Sequence, residues 1–122
     1  DVGGIKTLIT GDAEDKTEQL LSGRIGDVDI YVVGHHGSET SSSQTFLDEI
    51  RPEYGIISSQ GPNVGSYDNP DIEVLRRLSK LGTVMYATYR SGTIVATIDG
   101  SGISLSPPES EQITPKNYRE AA

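Results

Sequence analysis

His35 and His36 are the only two histidines in 122 residues, and they stand side by side. They interrupt the stretch VDIYVVGHHGSETSSS (28–43), in which an apolar, β-branched run stops at Gly34 and a polar, serine-rich run follows. Imidazole nitrogen and carboxylate oxygen are ordinary ligands for zinc, manganese or iron. A carboxylate is at hand in Asp12, which follows the short apolar run at 5–9. Asp12, His35 and His36 are therefore the candidate metal ligands, with the two histidines also the candidate catalytic groups. Two metals bridged by an aspartate would generate a hydroxide nucleophile and clamp both oxygens of a phosphodiester displacement. Three ligands are too few for a binuclear site. Either the rest lie outside this chain or the site is incomplete.

Each residue also has a plainer reading. The histidines can be solvated side chains of a surface loop, and Asp12 can simply cap the helix after it. A Ser-His-Asp triad can be written from Ser38, His36 and Asp12, but no nucleophile-elbow pattern surrounds any serine. GHHG is not a phosphate-binding P-loop, because it lacks the Gly-Lys-Ser/Thr ending. The acidic run Asp12, Glu14, Asp15 and Glu18 reads as a largely solvated helix face.

The elements that position these residues follow from periodicity and punctuation. Residues 5–9 predict a strand, and 13–22 a helix with Leu20 and Leu21 inward and Gly23 at its end. Residues 28–33 predict a second strand running into the histidine loop. Phe46, Leu47 and Ile50 give helical spacing near 43–50, closed by Pro52. A third strand is expected at 54–58. Asn69 as N-cap and Pro70 at the first turn open a helix striped by Val74, Leu75, Leu78 and Leu81. A fourth strand at 84–88 precedes a hairpin, 94–98 with 103–105, turning on Asp99-Gly100-Ser101-Gly102. Alternating strands and helices predict an α/β layer architecture. In such sheets ligands collect at the carboxyl ends of the strands, so loops 10–12, 34–43 and 59–69 should gather at one edge. The expected division is a domain over 1–105 and a polar tail or linker over 106–122.

Composition narrows the function classes. The formal net charge is −8, which opposes non-specific binding to a nucleic-acid backbone. A local metal centre would still draw a phosphate. There is no cysteine, so disulfides and thiolate metal sites are excluded. No run approaches the roughly 18 apolar residues of a membrane span. The chain opens on an apolar strand without an initiator Met and reads as a segment of something longer.

LITGDAE (8–14) followed by an acidic helix, then VVGHHGS (32–38) with its Ser/Thr tail, resembles the metallo-β-lactamase-like domain of ComEC-type DNA-internalisation competence proteins. The likeness continues through IRPEYGIIS (50–58), PDIEVL (70–75) and YRSGTI (89–94), and spans roughly residues 5–105. The resemblance implies an α/β fold, the C-terminal half of a four-layer metallo-β-lactamase-like αββα sandwich. It makes Asp12 the metal-bridging aspartate and puts His35 and His36 in the active-site loop, with Ser38 helping to position that loop. It implies a divalent metal, zinc or manganese, and a nuclease or other phosphodiesterase acting on DNA. It also implies three kinds of partner: the missing N-terminal half of the fold, a second copy of this chain in its place, and a membrane reached only through a parent protein, on its extracytoplasmic face.

Two departures stand against it. The family's His-x-His-x-Asp-His motif belongs upstream and is not in this chain. Where members carry Gly-His-Pro, this chain has Asp68-Asn69-Pro70. Asp68 could reach the metal or substrate in place of that histidine, whereas Asn69 is the better N-cap. The alternative reading is a degenerate, non-catalytic domain kept for binding or assembly.

Overall fold

In the computed structural model, residues 4–11, 15–21, 23–38, 41–61, 70–99 and 102–119 are described, with the backbone alone for Asp15, Lys16, Thr17 and His35. In chain order the elements are β1 (Thr7–Ile9), α1 (Asp15–Leu21), β2 (Ile30–Val32), a 3-10 turn (Gly34–Gly37), α2 (Gln44–Ile50) and β3 (Tyr54–Ile57). Then come α3 (Ile72–Lys80), β4 (Val84–Ala87), the short α4 (Thr88–Ser91), β5 (Ala96–Asp99), β6 (Gly102–Leu105) and a second 3-10 turn (Glu109–Glu111).

Strands β1 to β4 form one parallel sheet in the order β1-β2-β3-β4. Parallel neighbours need crossovers, and crossovers are right-handed, so an order that never reverses sends every connecting helix to the same face. Register shows which side chains meet those helices. Leu8, Tyr31, Gly55 and Met85 stand level across the four strands. Tyr31 and Met85 join Ile57, Ala87, Phe46, Leu47, Ile50, Val74, Leu75 and Leu78 in the buried core. Each fully buried aliphatic chain there contributes on the order of 2 kcal/mol. Gly55 lies under α3, where a Cβ would make only ordinary contact, 3.7 Å from Leu78 Cδ1.

The other face carries Ile9, Val32, Ile56 and Tyr86 in register. Tyr86 is buried, whereas Ile9 is 70 % exposed. The sheet is thus α/β with one face fully clad and the other only partly covered.

Several expectations need correcting. Leu20 points outward, 74 % exposed, and Leu21 alone of that pair packs against the core. The acidic face of α1 is not uniformly solvated, because Glu18 is 1 % exposed. Helix α3 starts later than Asn69-Pro70: its N-cap is Asp71, whose side chain accepts from Glu73 N–H at 2.8 Å. Asn69 lies outside the described residues. A one-turn helix, α4, follows β4 where only a strand end was expected. The hairpin is present, with Asp99 opposite Gly102.

In the segment expected as a polar tail, Ile113 donates its N–H to Met85 O at 2.9 Å, and both Ile113 and Tyr118 are buried in the core. Two apolar residues in a polar stretch suffice to cover the free edge of β4. Among the described residues no helix is long and apolar enough to cross a membrane.

Candidate functional site

Because β1, β2 and β3 are parallel neighbours, their carboxyl ends share one edge, and the histidine turn emerges from the middle of the three. The chain cannot continue as a strand past Val33. Gly34 and Gly37 bracket the turn, and Gly37 takes φ +85° while a Cβ on it would come within 2.7 Å of Pro70 Cβ. Only glycine fits between the turn and the start of α3. Its carbonyl accepts from Asp71 N–H at 2.8 Å, which fastens the turn to the α3 cap.

His36 has φ +57°, left-handed backbone that costs a residue with a Cβ about 1–2 kcal/mol. Its exposed imidazole lies 2.8 Å from Ser58 O through Nδ1. A carbonyl oxygen only accepts, so Nδ1 carries the hydrogen and, in the neutral ring, Nε2 keeps its lone pair. The same second-atom restraint fixes ring and tautomer in metal-binding histidines and raises their basicity. One histidine is therefore oriented at the carboxyl edge of the sheet, with no partner for Nε2 among the described residues.

Below the turn lies a buried polar network. Tyr31, from β2, bonds Ser42 Oγ at 2.7 Å and accepts from Gly34 N–H at 3.2 Å. Burial pushes the Tyr31 phenol above its ordinary value, so it stays protonated. Ser41 Oγ donates to Gly34 O at 2.9 Å. The Glu18 carboxylate accepts from the backbone N–H groups of Ser42 and Ser43, the latter at 2.9 Å. Ser43 then caps α2 through its side chain, accepting from Phe46 N–H. Arg77 of α3 donates to Ser42 O at 3.1 Å. The peptide joining Ser42 to Ser43 is thus held by the Glu18 carboxylate at its N–H and the Arg77 guanidinium at its carbonyl.

The loop after β3 is tied to β4 in turn. Ser59 N–H donates to Thr88 Oγ1 at 3.1 Å, and Thr88 Oγ1 donates to Ser59 O at 3.2 Å. The Tyr89 ring lies against Gly61, and its phenol, half-buried, is pushed up to about 12, chiefly by burial.

Of the expected site residues, His36 stands at the shared edge, and the His35 backbone lies in the same 3-10 turn. Ser38, just beyond that turn, accepts through its carbonyl from Ser41 N–H at 3.2 Å. Asp12, Asp68 and Asn69 lie outside the described residues. Among those described, no three His, Cys, Asp or Glu side chains form a group that could hold a metal ion. The donor chemistry present fits a divalent cation at one position, His36 Nε2. Sequence reasoning missed Glu18, Ser41 and Ser42. The only signal for them was the triple serine ahead of an apolar helix, which marks an N-cap without naming its partner.

No family model matches the chain. Three curated relatives do. The chain is 39 % identical over 94 residues to Recombination protein 2 of Haemophilus influenzae, covering 77 % of this chain and 12 % of the relative. It is 36 % identical over 104 residues to Competence protein ComA of Neisseria gonorrhoeae, covering 83 % and 15 %. It is 32 % identical over 96 residues to ComE operon protein 3 of Bacillus subtilis, covering 77 % and 12 %. The chain therefore spans a small fraction of the length of the relatives it matches. Together the three alignments support a relationship of this chain to competence proteins of the ComEC type, of which it corresponds to a short stretch.

Proposed function

We propose that this chain is the C-terminal half of a metallo-β-lactamase-like sandwich and serves DNA uptake as part of a metal-dependent phosphodiesterase or nuclease. The single observation that carries the reading is His36. Its Nδ1–H is committed to Ser58 O, so Nε2 is left to ligate or to take a proton. The names of the relatives support the role in competence.

Asp12, His35 and His36 would hold a zinc or manganese ion, with the remaining ligands supplied by an upstream half. When bound, the cation supplies Lewis acidity at the phosphate and a water of lowered pKa. Ser38 would help to position the histidine loop, and Asp68 or Asn69 would contact substrate from the loop after β3. The partly covered sheet face, with Ile9 70 % exposed, would receive the N-terminal half or, in its absence, a second copy of the chain. A membrane would be met only through a longer parent, with this domain on the extracytoplasmic side.

A second reading, a non-catalytic domain kept for assembly, is favoured by Asp68-Asn69-Pro70, where the resembled family carries a histidine. Cleavage of single-stranded DNA by the full-length protein carrying this segment, with manganese or zinc, separates the two. Activity abolished by Asp12→Ala is expected. Activity undiminished in that variant would reject the metal-holding role, and none in the wild type would favour the assembly reading.

A further inference from the structure

Glu18 is a carboxylate on the middle of α1, 1 % exposed, with no basic side chain hydrogen-bonded to it among the described residues. Burying a charge is costly unless it is well hydrogen-bonded, so its place has to be explained by what it holds. It accepts two backbone N–H bonds, from Ser42 and Ser43, at the end of the histidine loop. The contact is answered from the other side. Glu49 of α2 accepts from Gly23 N–H at 2.7 Å and Ile25 N–H at 3.3 Å, just beyond the end of α1. Each helix thus supplies a carboxylate to backbone at one end of the other. Helix α1 follows the loop that contains Asp12, and α2 follows the loop that contains His35 and His36.

We infer that Glu18 is a positioning residue: through Ser42 and Ser43 it locks the histidine loop to α1, so that the histidine turn keeps one placement against that helix. This rests on the phosphodiesterase reading for its catalytic consequence, though not for the lock itself. The chain of contacts runs from Glu18 to the Ser42 N–H, from Ser42 Oγ to Tyr31, and from Tyr31 to Gly34 N–H, one residue before His35. Arg77 bonds the Ser42 carbonyl, and Glu18 bonds the N–H of Ser43 across the same peptide. A loop pinned at both polar atoms of that peptide has little freedom to shift.

Glu18→Gln removes the lock with almost no change of shape, because the amide nitrogen faces a backbone N–H where a lone pair stood. Two readouts are needed in the full-length protein: hydrogen–deuterium exchange over residues 38–47, and steady-state cleavage of bis(p-nitrophenyl) phosphate with manganese. Exchange in that segment is expected to rise, and kcat to fall about tenfold or more with KM nearly unchanged, as when a supporting partner of a metal ligand is lost. Ile113→Ala, which loosens the core where that residue meets Met85 of β4, is the control at matched stability and should spare kcat. If Glu18→Gln does not fold, Glu18→Asp, one methylene too short to reach both amides, takes its place. Unchanged exchange and kcat, or an equal fall of kcat in Ile113→Ala, would overturn the inference. If the wild type cleaves no phosphodiester, the phosphodiesterase reading fails, and exchange alone then decides whether the lock exists.

Discussion

His36 Nδ1 lies 2.8 Å from Ser58 O, so the histidine at the end of β2 is steered by the backbone at the end of β3. Two neighbouring parallel strands thereby fix one imidazole, and the price is a left-handed backbone at His36. Strain of this kind persists where surrounding structure over-determines it. Here the fixed points are Gly37 against Pro70, Tyr31 under Gly34, and Ser41 on the Gly34 carbonyl.

That relationship separates the roles of the two ring nitrogens. Asparagine at position 36 can offer a side-chain N–H to Ser58 O and tolerates positive φ, but it has nothing in place of Nε2. His36→Asn should therefore change stability by less than about 1 kcal/mol in thermal or urea unfolding. Metal-dependent phosphodiester cleavage in the same variant should fall about 100-fold or more. Full activity would show that Nε2 takes no part.

The buried phenols give a pH dependence with a definite sign. Tyr31 and Tyr89 both titrate above the ordinary 10.0, the latter at about 12, chiefly through burial. A pKa raised in the folded state means that the unfolded chain loses its proton first as pH rises. These groups therefore leave stability unaffected below pH 10.0 and erode it as pH climbs towards about 12. Urea midpoints measured at pH 9, 10.5 and 11.5 should fall across the series, and Tyr89→Phe should flatten part of the fall. A midpoint constant to pH 11.5 would contradict the burial assigned to these rings.

How much of this was legible in the sequence depends on the range of the interaction. The α/β order and the core stripe of α3 were readable, because apolar spacing at Val74, Leu75 and Leu78 reports burial directly. The histidine turn was readable as a loop at a strand end from Gly34 and Gly37. Its support was not. Glu18 and Ser42 are far apart in the chain and meet only once α1 and α2 pack, and nothing local distinguishes Glu18 from the acidic residues around it. Leu20 was misassigned because an adjacent apolar pair on a helix can be buried together, as Val74 and Leu75 are, or singly, as with Leu21, and local pattern does not choose between the two. Ile113 and Tyr118 were lost in a polar, proline-containing stretch, since their burial comes from the free edge of β4. Asp12, Asp68 and Asn69 keep the roles that the resemblance implies as proposals.

The central proposal is that the segments after β1 and β2 would together hold a divalent metal. The most direct measurement is calorimetric titration of the full-length protein carrying this segment with manganese and with zinc, beside the Asp12→Ala and His36→Asn variants. The account predicts saturable binding that weakens about 10-fold or more in each variant. Binding of equal strength in all three proteins, or none in the wild type, would contradict it.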